Sequence, residues 1–203
     1  IQGGYIIAGT TESYGAGAKD IWLIKTDGNG NEKWNKTFGG ASDDIGRSVQ
    51  QTNDGGYIIT GYTESYGNGE ADVWLIKTDA SGNEMWNKTF GNDRYDWARD
   101  VIQTIDGGYI ITGRFSGVSY SDMWLIKTDA NGNEMWNKTF GETSSYQAGH
   151  SIQQTTDGGY IVTGVSYIQG NGYDDVYLIK TDSQGTLEWE KRFDGGNGTG
   201  SDY

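Results

Sequence analysis

The 203-residue chain contains no cysteine and no proline, and it has a single histidine. Without cysteine, the chain forms no disulfide framework, no thiolate metal site and no thiol nucleophile. The absence of proline, beside 34 glycines, excludes collagen and proline-rich linkers. Any Ser/His/Asp catalytic arrangement would have to use His150, which occupies a repeat position held by Arg47 and Arg99 in other copies. We therefore expect a polar role that the copies share, not a unique general base.

Basic residues are scarce as well, with 15 Lys and Arg against 28 Asp and Glu, so the net charge is −13. Such a chain repels a phosphate backbone, and we predict that nucleic acid is not its partner. No apolar run approaches the roughly 20 residues of a membrane-spanning helix, so we predict no membrane insertion. The chain begins without Met, and we interpret it as a processed or excised segment.

Aromatic residues are abundant, with 8 Trp, 14 Tyr and 5 Phe. They give bulk to a core that a 34% hydrophobic content would otherwise leave small. We therefore predict one compact globular domain over residues 1–203.

Four tandem copies of one motif fill the chain. A Gly-Gly-Tyr-Ile block recurs with its tyrosine at Tyr5, Tyr57, Tyr109 and Tyr160. A second block, Trp-Leu-Ile-Lys-Thr-Asp or its Tyr variant, starts at Trp22, Trp74, Trp124 and Tyr177. A third block starts at Trp34, Trp86, Trp136 and Trp189. The copies span approximately residues 1–38, 39–90, 91–140 and 141–193, and residues 194–203 lead toward a next or closing strand.

Each complete copy predicts four β-strands, and no segment has sustained helical periodicity. In the second copy the β-branched and aromatic segments are 48–52, 57–62, 73–79 and 85–90, bounded by Gly, Asn or Asp. Four-stranded antiparallel units of about 50 residues in tandem are typical of β-propeller blades. We predict an all-β propeller with four visible blades.

The first copy lacks its first strand, which makes 15 strands in total. Three explanations stay open: a four-bladed ring without its closing strand, a longer natural protein, or a strand supplied by a neighbouring subunit.

The ordered strings DGGYIITG, WLIKTD, GN and W-x-KTF resemble those of tandem β-propeller repeats in archaeal and bacterial cell-surface proteins. The resemblance covers essentially the whole chain. It implies a secreted or surface-displayed module without an assigned enzyme activity or cofactor.

Loops that differ among the copies are predicted to share one face, opposite the constant turns. They carry aromatic side chains among Gly, Ser, Asn and acidic residues, a mixture that suits sugar stacking or protein contact. The candidate ligand-binding residues are Tyr14, Tyr66, Tyr95, Trp97, Tyr120, Tyr146, Tyr167 and Tyr173, with Phe115 beside them. The alternative is that several of these rings turn inward and cap the core.

Two further motifs recur. N-x-[ST] sequons at Asn35, Asn87, Asn137 and Asn197 are glycosylation candidates, although strand packing also explains the first three. Asp27, Asn29 and Asn31 place oxygen ligands at alternate positions, as the front half of a calcium loop does, but without the distal bidentate carboxylate. A hairpin turn explains the same pattern.

The recurring polar residues of the third strand are predicted to be structural, because they occur in every copy. They are Asp20, Asp72, Asp122 and Asp175, with Lys25, Lys77, Lys127 and Lys180.

The sequence favours a non-catalytic extracellular or cell-surface module that binds a glycan, a protein or its own copies through the variable loop face. A structural subunit of a filament or surface layer is the alternative, because heterologous contacts that do not close produce fibres. A polysaccharide-acting enzyme is the third hypothesis, since glycosidases need only two carboxylates. Its candidate acids are the pairs Asp43 with Asp44 and Asp174 with Asp175.

Overall fold

The computed structural model describes residues 3–142, 145–168 and 174–193, and within these ranges the chain is all-β. Its fifteen strands are β1 (Ile6–Thr11), β2 (Asp20–Thr26), β3 (Glu32–Phe38), β4 (Asp44–Gln51), β5 (Tyr57–Thr63), β6 (Asp72–Thr78), β7 (Glu84–Phe90), β8 (Trp97–Gln103), β9 (Tyr109–Ser116), β10 (Ser121–Thr128), β11 (Glu134–Phe140), β12 (Ser145–Gln154), β13 (Tyr160–Ile168), β14 (Asp174–Thr181) and β15 (Leu187–Phe193). The described residues include no helix long and apolar enough to cross a membrane.

The strands pair in chain order as antiparallel meanders. Unit 1 is β1 to β3, unit 2 is β4 to β7, unit 3 is β8 to β11 and unit 4 is β12 to β15. One parallel bridge from Ser121 to Tyr146 joins units 3 and 4 into a single eight-stranded sheet. Within the described residues, the predicted count of 15 strands, with three in the first unit, is confirmed.

The hairpins between the last two strands of each unit close through one aspartate. The Asp79 carboxylate accepts the backbone N–H groups of Ser81 and Asn83, both at 2.8 Å. Gly82 follows with a φ of +77°, a conformation that favours glycine. Asp27, Asp129 and Asp182 repeat this arrangement, which accounts for the recurring Asp-x-x-Gly spacing.

Three hydrophobic clusters form the core, and each joins two consecutive units. The first combines Ile21 and Leu23 of unit 1 with Tyr57, Ile59 and other residues of unit 2. The second and third clusters join units 2 with 3 and units 3 with 4 in the same way. Burial therefore stabilises the contacts between units as well as each sheet.

Aromatic side chains repeat at each of these junctions. Trp34, Trp86 and Trp136 contact Tyr57, Tyr109 and Tyr160 of the following unit, with ring centroids 5.8 to 6.0 Å apart. Each tryptophan also covers the hairpin glycine of that unit. A Cβ on Gly132, for example, would lie 2.6 Å from Trp86 Cζ3.

The first strands of successive units lie side by side. β8 contacts both β4 and β12, and β4 contacts β1. One carboxylate connects three of these strands: Asp100 accepts hydrogen bonds from Ser48 Oγ at 2.8 Å, Ser151 Oγ at 3.1 Å and the Ile152 N–H at 3.0 Å. Polar contacts thus connect β4, β8 and β12.

The loops that differ among copies do share one end of the sheets in the described residues. The Tyr66 hydroxyl donates to the Gly39 carbonyl oxygen at 3.0 Å, and the Ser42 N–H donates to Ser65 Oγ. Asn92 Nδ2 donates to the Ser116 carbonyl oxygen. Each contact joins the loop between the second and third strands to a loop between units, as the sequence predicts.

Candidate functional site

Three β-bulges place related side chains at the same position of three neighbouring strands. Arg47 is the extra residue between Gly46 and Ser48 of β4, which oppose Gly61 and Thr60 of β5. Arg99 in β8 and His150 in β12 are the corresponding extra residues. A bulge re-aims the side chain that it carries and bends its strand, and bulges are common next to binding sites.

A cleft of about 170 Å³ lies beside two of these bulges. It is lined by Trp97, Arg99, Arg114, Tyr146, His150 and Tyr167, and we call these six residues the Trp97 cleft. Trp97 and Arg114 are direct cross-strand partners on β8 and β9. The Cζ atoms of Arg99 and Arg114 lie 5.6 and 5.2 Å from the Trp97 ring, within cation–π distance.

An adjoining cleft of about 300 Å³ shares the side chains of Trp97 and Arg114 with the first cleft. Tyr62, Glu64 and Tyr95 line it together with Trp97 and Arg114. The Tyr62 ring meets Trp97 edge-on, with centroids 6.2 Å apart and planes at 84°. The two clefts form one concave surface on either side of Trp97.

Two half-buried arginines, Arg99 and Arg114, give this surface positive charge. Burial lowers the pKa of Arg99, and the like charge of Arg47 lowers it further. Burial also lowers the pKa of Arg114, against the opposing influence of Tyr146 and Asp96. Arginine nonetheless keeps its proton in proteins, so these side chains are cations in a partly desolvated place.

Two buried donors on this surface lack hydrogen-bond acceptors. Among the described residues, neither Trp97 Nε1 nor Arg114 Nε has a partner. Over the same part of the chain, no ion pair involves Arg47, Arg99 or Arg114. Buried donors are nearly always satisfied in folded proteins, so these two are exceptions, as Trp22 Nε1 is outside this surface.

The sequence-predicted aromatic residues divide into two groups. Tyr14 and Tyr66 stack on the third-strand tryptophans Trp22 and Trp74, with centroids 5.7 and 5.3 Å apart. Phe115 does the same on Trp124 at 5.1 Å. These rings border outer clefts between units, one of about 320 Å³ at Tyr66 and one of about 420 Å³ at Phe115.

The second group surrounds the concave surface at Trp97. Tyr146 contacts Tyr120 and Tyr167, with ring centroids 5.8 and 6.2 Å apart. Tyr95 and Tyr146 are exposed, at 51% and 41% of their surface. The alternative in which such rings turn inward therefore does not hold for these two, while Tyr120 and Tyr167 are half-buried. Tyr173 lies outside the described residues.

The expectation that all these residues lie on loops is wrong for four of them in the described residues. Trp97 lies on β8, Phe115 on β9, Tyr146 on β12 and Tyr167 on β13. The bulges explain the difference, because strand pairing resumes beyond the extra residue and continues toward the loop end. In unit 2, β4 accordingly begins at Asp44, four residues before the expected start.

Sequence reasoning missed Arg99, Arg114 and Tyr62 as members of the site. A signal was present in the repeats: the cross-strand pair Trp97 and Arg114 corresponds to Ile45 and Tyr62 in unit 2 and to Ala148 and Val165 in unit 4. Variation at paired strand positions, as well as in loops, thus marks this surface.

The sequon asparagines Asn35, Asn87 and Asn137 are exposed, and they have a structural role. Asn87 Nδ2 donates to Glu84 at 2.6 Å, while its Oδ1 accepts from Trp74 Nε1 at 3.3 Å. Asn137 repeats both contacts, and Asn35 repeats the bond to its glutamate, Glu32. Asn197 lies outside the described residues. Glycosylation stays a prediction at all four positions.

The calcium candidate has its carboxylate occupied by donors. Asp27 accepts the N–H groups of Asn29 and Asn31 and the side-chain amide of Asn31 at 3.0 Å. The Asn31 side chain makes the largest contribution to lowering the pKa of Asp27. These bonds explain the recurring pattern as a hairpin, and calcium binding stays a prediction.

The acidic pair Asp43 and Asp44 makes structural contacts. Asp43 forms an ion pair with Lys19 at 2.9 Å. Asp44 is fully buried and accepts the Gly40 N–H and the Ser65 hydroxyl. The side chain of Asp174 lies outside the described part of the chain. The recurring Asp20 and Asp72 likewise accept loop N–H groups, as predicted for structural residues.

Comparison with protein-family models and with curated proteins yields no match, so the resemblance to surface propeller repeats rests on the residues alone.

Proposed function

We propose that the chain is a non-catalytic extracellular or cell-surface module whose four units are successive blades of a β-propeller. The repeated packing between units supports this arrangement, since β4, β8 and β12 lie side by side and one core cluster fills each junction. Parallel bridges from Ala71 to Tyr95 and from Ser121 to Tyr146 recur at two consecutive junctions. Radial stacking of such sheets buries both faces of each blade.

The module binds a glycan through the concave surface at Trp97. The observation that carries this proposal is the aromatic wall of exposed Tyr95 and Tyr146 and half-buried Trp97, beside the arginine side chains of the same surface. Aromatic rings stack on the apolar faces of sugars, and guanidinium groups donate to their hydroxyl or acidic oxygens. Rigid strands hold these groups, which lowers the entropic cost of binding.

Replacing Trp97 is expected to abolish most of this binding. In a glycan-array screen followed by titration calorimetry, Trp97→Ala should weaken binding about tenfold or more, since a buried aromatic contact is worth about 1 kcal/mol beyond its area. Tyr66→Ala tests the outer cleft in parallel. Trp189→Ala is the matched control, because that tryptophan lies on β15, away from the Trp97 cleft. An array without any bound glycan would count against the proposal.

A second candidate function, assembly between copies, is favoured by the two ends of the unit series. Tyr5 is 63% exposed, whereas its repeat equivalent Tyr57 is 3% exposed beneath Trp34. At the other end Trp189, the equivalent of Trp34, is 42% exposed. Gly30 has open space where Gly82 meets a tryptophan ring. The exposed end of unit 4 in one copy can therefore pack on the exposed end of unit 1 in a second copy. This contact repeats the packing between consecutive units within one chain.

Head-to-tail assembly predicts that the apparent mass in sedimentation velocity rises with protein concentration. Trp189→Ser should abolish this rise, because it removes the ring that would cover Gly30 and Tyr5 of the next copy. Met135→Ser, which replaces an exposed apolar residue of unit 3, should not change it. A strictly monomeric species at high concentration would exclude the assembly.

A further inference from the structure

We propose that the Trp97 cleft selects acidic glycans, and that Arg99 and Arg114, supported by Arg47, bind a carboxylate or sulfate group of the sugar. The inference rests on the proposed glycan-binding function and adds the charge of the ligand.

The distribution of charge is the first reason to expect an acidic ligand. Acidic residues outnumber basic ones by 28 to 15, and the net charge is −13. Lys77, Lys127 and Lys180 each form an ion pair at 2.9 to 3.0 Å, whereas Arg99 and Arg114 form none within the described residues. Both arginines line one cleft, and Arg47 occupies the equivalent bulge of the neighbouring strand, so positive charge is concentrated there.

The nearby acids form no ion pair with these arginines within the described residues. Asp100, next to Arg99, already accepts hydrogen bonds from Ser48, Ser151 and Ile152. Asp96 raises the pKa of Arg114, but it is fully buried and accepts the N–H groups of Asn92 and Ser116. Glu64 lines the adjoining cleft with Arg114.

Repulsion between the charged side chains at the bulges is the second reason to expect an acidic ligand. Arg47 and Arg99 occupy the same bulge position on the neighbouring strands β4 and β8, and the like charge of Arg47 adds to burial in lowering the pKa of Arg99. The bulge hydrogen bonds around Asp100 keep their strands together despite this cost. An anion between the guanidinium groups removes the repulsion, so that binding energy is gained without rearranging the strands.

The arrangement of the side chains that line the cleft is the third reason to expect an acidic sugar. Arg114 and Trp97 are directly paired residues that both line the cleft, and Arg114 Cζ lies 5.2 Å from the Trp97 ring, so one ligand can contact both side chains. Guanidinium groups bind carboxylate and sulfate oxygens through two parallel hydrogen bonds. Tyr146 and Tyr167 supply an apolar wall for the sugar ring itself. A sugar acid matches both halves of this cleft, whereas a free inorganic anion uses only one.

The test is an array that pairs carboxylated and sulfated oligosaccharides with their neutral counterparts, followed by calorimetry on the bound members with Arg99→Gln, Arg114→Gln and Lys33→Gln. Lys33 is exposed on β3 and matches the change in net charge. We expect binding of the acidic members only, weakened about tenfold or more by either arginine variant, the value of a lost charge-assisted hydrogen bond, and unchanged by Lys33→Gln. Inorganic sulfate at equal concentration should compete only weakly.

Each other outcome overturns the inference in a recognisable way. Equal binding of neutral and acidic members, lost in Trp97→Ala, would overturn the acidic selectivity while the proposed function stands. Acidic binding that survives both arginine substitutions would place the anion elsewhere. No binding to any array member would overturn both proposals. Urea unfolding of each variant identifies loss of fold, and Arg99→Gln changes a half-buried side chain at a bulge, which leaves the core intact.

Discussion

Trp86→Ala is expected to lower the free energy of unfolding by about 3 kcal/mol, at the lower end for truncated buried aromatic residues because this ring is half-buried. Trp86 stacks on Tyr109 with centroids 5.8 Å apart and covers Gly132 of the next unit. Its loss opens a cavity at the junction between units 2 and 3, where no other side chain reaches the hairpin glycine as closely. Urea unfolding followed by circular dichroism measures the change.

Trp189→Ala provides the matched control for this prediction. Trp189 occupies the same repeat position as Trp86, on the last strand of its unit, but 42% of its surface is exposed. Its truncation should cost less than about 1 kcal/mol, as substitutions at exposed positions usually do. Equal losses for the two variants would show that the contacts between units do not stabilise the fold.

Asp54→Asn is expected to lower the free energy of unfolding by about 2 kcal/mol at pH 7, the range for a hydrogen bond to a buried charge. Lys77 is buried, with only 3% of its surface exposed, and its ammonium group lies 2.9 Å from Asp54. Without the carboxylate charge, the ammonium keeps the Thr78 carbonyl oxygen, at 2.8 Å, as its backbone acceptor. Asp93→Asn, at an exposed aspartate 3.9 Å from Arg94, is the control and should change little.

The pH dependence gives this prediction a second readout. The hydrogen bond from Lys77, followed by that from Thr52, lowers the pKa of Asp54 to about 2. A carboxylate with a lowered pKa in the folded state stabilises above its unfolded pKa of about 4, and this contribution disappears as the pH falls toward 2. The difference between wild type and Asp54→Asn should therefore shrink from pH 5 to pH 2. A constant difference over this range would contradict the ion pair.

The repeat makes the strands and hairpins predictable from sequence, because four copies expose which positions must stay constant. Tyr57 and Trp86 recur since each fills a junction with its neighbour, and Gly82 recurs since its φ is +77° beneath a tryptophan. These are local or nearest-neighbour requirements. Their spacing is therefore visible along the chain.

The bulges are harder to predict, because Arg47, Arg99 and His150 carry no turn signal and read as ordinary exposed strand or loop residues. The Trp97 cleft depends on them. Arg99 lies on β8 and Arg114 on the paired strand β9, while His150 lies on β12 of the next unit. The cleft therefore forms only when units 3 and 4 pack together. The spacing of these residues along the sequence does not predict that they line one cleft.

The most direct measurement of the central claim is the indole N–H spectrum of the protein during titration with the acidic glycan that binds on the array. The eight tryptophans give eight indole signals, and Trp97→Phe identifies the relevant one. Because Trp97 lines the cleft and Trp22 and Trp74 do not, the Trp97 signal should shift most strongly, with those of Trp22 and Trp74 unchanged. A titration that shifts the Trp74 signal and leaves the Trp97 signal in place would put the ligand in the outer clefts and contradict the account.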